Sequence, residues 1–238
     1  MEQSIGKRII VVGSSNAGKS TLAEELAGRL GVPFIELDAL HWEPGWVAAE
    51  REVFRERVRE AIEPESWVMA GNYTSLQQDV SWPAADTIVW LDLNMPTVLR
   101  RCIVRCWQRS RSADLLWGTN RENFWEHLMF WDPEKSLPTY ILKTHGIRRR
   151  TLEALTREPR WSHITFIRLR SVEDINRWLD GVVATADQQQ EVSAPPHADG
   201  SRIVARYGTV SPRTRPEEYT TLREEFEIGV AEDNTKRA

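Results

Sequence analysis

The run Gly13-Ser14-Ser15-Asn16-Ala17-Gly18-Lys19-Ser20-Thr21 constrains this chain more than any other feature. It fits G-x-x-x-x-G-K-S/T in full, and its surroundings suit it. Arg8-Ile9-Ile10-Val11-Val12 before it reads as a buried strand, and residues 19–30 read as a helix with Leu22, Leu26 and Leu30 along one face. The pattern has a steric and an electrostatic reason. Glycines at 13 and 18 let the backbone curl around phosphate oxygens, while the amides opening the helix point inward at the same oxygens. Lys19 would bridge the β- and γ-phosphates of ATP, Ser20 would ligate Mg²⁺, and Thr21 closes the nucleotide-binding run.

Strand and helix patterns then alternate. Residues 32–37, 67–70, 87–91 and 163–169 read as further strands, and 49–62, 95–111, parts of 120–155 and the stretch after Ser171 as helices. Ser171 and Asp174 form a capping pattern at the last of these. Alternation of this kind predicts a three-layer α/β domain over residues 1–183, with a largely parallel sheet covered on both faces. Residues 184–201 are small, polar and proline-containing, which predicts a flexible linker. Residues 202–238 form a tail in which Tyr219, Leu222, Phe226 and Val230 would stripe a short amphipathic helix, fit for a protein partner or self-association. With 41% hydrophobic residues, a net charge of −4 and two cysteines, the chain fits neither a basic nucleic-acid coat nor a disulfide framework. No apolar run approaches the roughly 20 residues of a membrane span, and no signal-type segment opens the chain, so a cytoplasmic location is expected.

Asp38 follows the second strand, where open α/β sheets bind their ligands. It either holds a Mg²⁺-bound water, orients an acceptor hydroxyl, or simply caps the next turn. His41 and Trp42 are candidate acceptor contacts or packing residues, as are Gly71, Asn72 and Tyr73 after the third strand. Asp92 ends the fourth strand, as a metal-side acid or a helix cap. Arg101, Arg105 and Arg109 recur on one helix face, either to neutralise a moving phosphoryl group or as a solvated basic face. Arg148-Arg149-Arg150 reads as a solvated face, and Cys102 and Cys106 as packing. The N-K-x-D pattern of GTPases is missing, and Leu91-Asp92-Leu93 lacks the acidic pair of motor ATPases.

Taken together, GSSNAGKST, LDALHWEPGW, MAGNY, DTIVWLDL and the arginine-rich helix resemble the adenylate-kinase-like P-loop proteins, in particular the DNA topology modulation proteins, over roughly residues 7–180. The resemblance implies a P-loop NTPase fold with five parallel strands in the order 2-3-1-4-5 and a helical lid bearing arginines. It also exposes a departure: adenylate kinases carry D-G-F/Y-P-R after strand three, and here the segment is Gly71-Asn72-Tyr73-Thr74-Ser75, without the acid or the arginine. The expectation is an ATP-dependent phosphotransferase acting on a small acceptor, a nucleotide or nucleoside. Lys19, Asp38, Arg101, Arg105 and Arg109 would be its catalytic groups, with Mg²⁺ on Ser20, Asp38 and Asp92. Its partners would be ATP and the acceptor, without direct nucleic-acid or membrane binding. The alternative is an ATP-binding regulatory protein acting through a partner.

Overall fold

The computed structural model describes residues 5–111 and 136–190. In chain order these form β1 (Arg8–Gly13), α1 (Lys19–Leu30), β2 (Phe34–Glu36), α2 (Leu37–His41), β3 (Trp42–Glu43), β4 (Val47–Ala48), α3 (Arg51–Ala61), β5 (Trp67–Ala70), α4 (Thr74–Ser81), β6 (Thr87–Leu91) and α5 (Met95–Arg111). After the undescribed stretch come α6 (Leu137–Leu155), a 3₁₀ turn (Pro159–Trp161), β7 (Thr165–Leu169) and α7 (Val172–Gln190). Residues 112–135, within the region of the expected lid, and the tail lie outside the described residues, as does the side chain of Arg109.

One sheet carries five strands in the order β2-β5-β1-β6-β7, all parallel. Counting only these five, the order is 2-3-1-4-5, the α/β arrangement of P-loop NTPases. Side chains of β1 alternate between two cores, as a strand buried on both faces must. Ile9 and Val11 join Leu22, Leu26, Val98, Ile141 and Leu179 on the face covered by α1, α5, α6 and α7. Ile10 and Val12 join Phe54, Val58, Trp67, Trp82 and Trp161 on the other, under α3, α4 and the C-terminal end of α6.

Besides the unexpected α4, three local features differ from expectation. The second strand is shorter than 32–37, because Leu37 turns into α2 and buries completely. The chain then makes a two-stranded hairpin, Trp42 opposite Ala48 and Glu43 opposite Val47, turning at Gly45 and Trp46 with positive φ at both. The last helix runs on to Gln190, so the boundary expected at 184 falls inside α7. Its start is as expected: Ser171 Oγ accepts from the Asp174 amide at 3.0 Å, and Asp174 accepts from the Ser171 amide at 3.1 Å. Among the described residues no helix is long and apolar enough to cross a membrane.

Candidate functional site

β1 and β5 lie side by side; β1 ends in Gly13 and β5 is followed by Gly71, both with φ 149°. Neither position has room for a side chain. A Cβ on Gly13 would lie 2.6 Å from the Leu91 carbonyl oxygen, and one on Gly71 would lie 2.6 Å from Leu37 Cβ. Asn72 then crosses between the strand ends, its Oδ1 accepting from the Gly13 amide at 3.2 Å. The carboxamide expected to touch a ligand thus holds the mouth of the phosphate loop.

The loop keeps its curl through left-handed residues, Asn16 at φ 61° and Gly18 at φ 95°, and through the Ala17 amide donating to the Ser14 carbonyl at 3.1 Å. Ser14, Ser15 and Ser20 are half-buried around it. Lys19 opens α1 and folds back, its Nζ donating to the Ser14 carbonyl at 3.1 Å. Burial is the main reason its pKa falls to about 8; the negative charge of Asp38 opposes the fall, and Arg148 and Arg105 add to it. A phosphate group in the loop would remove that strain, so the cradle fits a nucleoside triphosphate.

Arg101 and Arg105 share a face of α5, Arg101 half-buried and Arg105 exposed, and both reach the phosphate loop. Arg101 Nη1 donates to the Ala17 carbonyl at 2.6 Å, in space left by the missing side chain of Gly18, and Arg105 reaches Asn16 Oδ1 at 3.3 Å. Both buttress the loop from behind.

On the opposite side, Asp38 sits in the first turn of α2. Tyr73 donates its hydroxyl proton to Asp38 Oδ1 at 2.7 Å, and the Trp42 indole in turn bonds the Tyr73 hydroxyl. Burial and the neighbouring carboxylate push the Tyr73 phenol well above its usual pKa, so it remains a donor. His41 is buried among Trp42, Phe54 and Tyr73, with ring centroids 4.8, 5.1 and 4.6 Å away. Among the described residues neither of its nitrogens has a hydrogen-bond partner, and burial lowers its pKa to about 4 despite Asp38. His41 is therefore a neutral packing residue, not a surface contact.

Asp92, which follows β6, is the expected metal-side acid or helix cap. Its carboxylate, 3% exposed, is held by Arg168 at 2.7 Å and Arg149 at 3.2 Å, and Arg168 also stacks over Trp90 at 4.1 Å. Two guanidinium groups thus neutralise the acid within the protein. Of the basic run, Arg149 and Arg150 are exposed, as a solvated face would be, while Arg148 is half-buried. Arg149 ties α6 to β6, and Arg148 meets the Tyr140 hydroxyl with its charge felt at Lys19. The only sequence signal for either was the basic run itself. Among the described residues no three His, Cys, Asp or Glu side chains gather as a metal cluster. The expected Mg²⁺ would rest on Ser20 and the nucleotide's own phosphates.

Residues 9–70 match the family model described as ATPase family associated with various cellular activities (AAA). The match holds the phosphate loop and stops before Asp92. No curated protein matches the chain. Among solved structures, a gluconokinase from Sinorhizobium meliloti is 20% identical, with 78% of this chain and 97% of that one covered and a TM-score of 0.39. A sugar kinase from Janibacter sp. is 19% identical (78% and 94% covered, TM-score 0.40), and a shikimate kinase from Bacteroides thetaiotaomicron is 19% identical (78% and 97% covered, TM-score 0.37). The class of this chain rests on its own sheet order and loop: an α/β protein with a P-loop.

Proposed function

We propose that the protein is an ATP-dependent small-molecule kinase of the P-loop class, with a nucleotide or nucleoside among the acceptors to be tested. One observation carries the reading: an acid, Asp38, faces the loop lysine across the strand ends, with one oxygen held and the other without a hydrogen bond among the described residues. A nucleotide-binding switch needs the loop; it has no need of an oriented carboxylate where an acceptor would lie.

Bound ATP and Mg²⁺ supply the activated phosphoryl group. Lys19 and the loop amides would hold its oxygens, with Arg105 and Arg148 close enough to weaken the Lys19 ammonium and so to add to the local positive potential. Asp38 Oδ2 would take the proton of an acceptor hydroxyl as its oxygen attacks the γ-phosphorus. The bond from that phosphorus to the β–γ bridging oxygen breaks, and ADP leaves. The lid arginine Arg109 would complete the charge balance. The likeness to DNA topology modulation proteins adds no reaction to this scheme.

The test is acceptor-stimulated ADP formation by the purified chain, compared with Asp38→Asn. The variant should keep its ATP affinity and lose about 100-fold or more in kcat, the usual scale for removing a general base. Equal losses in ATP affinity and rate would assign Asp38 to nucleotide binding instead.

A further inference from the structure

Charge is segregated across the site. Lys19, Arg101, Arg105 and Arg148 stand on the phosphate side, while Glu36 and Asp38 face them from the end of β2, and both act on the Lys19 ammonium. The acceptor side is built from α2, the β3–β4 hairpin, α3 and the start of α4. Every cation described there is already engaged. Arg57 donates to the Leu40 carbonyl at 2.9 Å and to Glu43 at 2.8 Å. Arg55 grips both oxygens of Asp79, at 2.7 and 2.8 Å. Arg51 turns to the Ser75 carbonyl, and Arg59 to Glu56. His41, with its pKa near 4, carries no charge at neutral pH. What the acceptor side offers instead is indole surface: Trp42 and Trp46 meet edge to face at 5.8 Å, both half-buried.

We infer that the acceptor is an uncharged, hydroxyl-bearing compound, a nucleoside or a sugar, laid against the Trp42–Trp46 indoles with one hydroxyl on Asp38. The inference rests on the kinase reading and narrows it. A monophosphate or carboxylate on the acceptor would add negative charge beside Glu36 and Asp38, on the side where each described cation is already engaged. Neutral hydroxyls lose nothing there, and both sugar faces and nucleobases stack on indole. Asp38 is ready for such a hydroxyl because its orientation is fixed. The Trp42 indole occupies an acceptor lone pair of the Tyr73 hydroxyl, which leaves that hydroxyl's proton directed at Asp38 Oδ1. Tyr73 is thus a positioning residue.

The experiment uses the full chain with Mg-ATP, measuring ADP release and mass-detected product with nucleosides and neutral sugars against their monophosphates and sugar acids. An uncharged compound should raise ADP release about tenfold or more over the acceptor-free rate, and its charged counterpart should be used at least about tenfold less well, the selectivity of one unmatched charge. Preference for the charged compound overturns this inference and leaves the kinase reading standing. Retained ATP binding with no stimulation by any acceptor overturns both. Nucleosides and sugars separate within the same panel. Glu36→Gln should narrow the discrimination several-fold by removing one of the two repelling charges; an unchanged ratio overturns its electrostatic basis. Tyr73→Phe should lower kcat while leaving the KM for ATP unchanged, and a fall in kcat with a parallel rise in the KM for ATP would make Tyr73 a structural residue only.

Discussion

Lys19 holds an ammonium weakened chiefly by burial, with a pKa of about 8 in the absence of ligand. Phosphate in the loop would restore its preference for the charged form, so binding takes up a proton wherever the free side chain has lost one. The sign follows: ATP affinity should be constant below pH 7.5 and fall as pH rises through 8 and beyond, by up to about tenfold per unit. Calorimetry in buffers of different ionisation enthalpy would read the proton uptake, and an affinity flat to pH 9.5 would refute it. His41 acts on folding instead. Its folded pKa, about 4, lies below the 6.5 of an unperturbed histidine, because burial among aromatic rings penalises the imidazolium. The unfolded chain therefore gains a proton that the folded one refuses. Stability should fall as pH drops from 6.5 towards 4, by roughly 3 kcal/mol across the window, and level off below it. Urea titrations of the wild type and His41→Leu at pH 7 and pH 4.5 give the comparison. The variant should lose that part of the pH dependence.

At the scale of elements, α3 depends on two buried anchors, Phe54 and Val58, each 0% exposed. Phe54 also walls the acceptor side, 5.1 Å from the His41 ring and 5.3 Å from the Tyr73 ring. Phe54→Ala should destabilise the fold by about 3–5 kcal/mol, read as a lower urea midpoint at unchanged slope. A shift below about 1 kcal/mol would mean that α3 is held by its arginines alone. The five core strands were legible in the sequence because they are short, largely apolar runs rich in β-branched and aromatic residues. The loop before α1 was legible because its glycines answer a backbone demand that no other residue meets. The β3–β4 hairpin was not. Its two-residue strands are too short to show a period, and it is braced by Arg57, which lies beyond it in sequence. α4 was hidden for a related reason: it follows a half-turn at Tyr73 and is tied to α3 through Arg55 and Asp79. Arg101 and Arg105 were visible as a helix face, yet what that face meets depends on packing that no local pattern records.

The whole molecule is organised around the C-terminal ends of β1, β5 and β6, and α6 is fastened there twice. His145 Nε2 lies 3.0 Å from the Leu93 carbonyl, and Arg149 pairs with Asp92. Arg168 brings β7 into the same knot, so the helix that carries Arg148 towards Lys19 is fixed by residues from two strands. α7 packs on the sheet face that α1 also covers. Ile175, Leu179 and Val182 are buried with Leu22 and Leu26 of α1, and the helix continues to Gln190. No residue of the described site lies beyond Val182, which places the useful cut later than composition alone suggested. We propose that residues 191–238 are separable from nucleotide binding. A chain ending at Gln190 should melt within about 2 °C of the full-length protein, the shift of a few tenths of a kcal/mol in a domain this size. It should also bind ATP with unchanged affinity, since the loop, Lys19 and both arginines that buttress it are retained. Any change should appear in self-association, read by sedimentation, because the apolar stripe of the tail would need a surface to cover. Loss of ATP binding in the shortened chain would instead make the tail part of the catalytic domain.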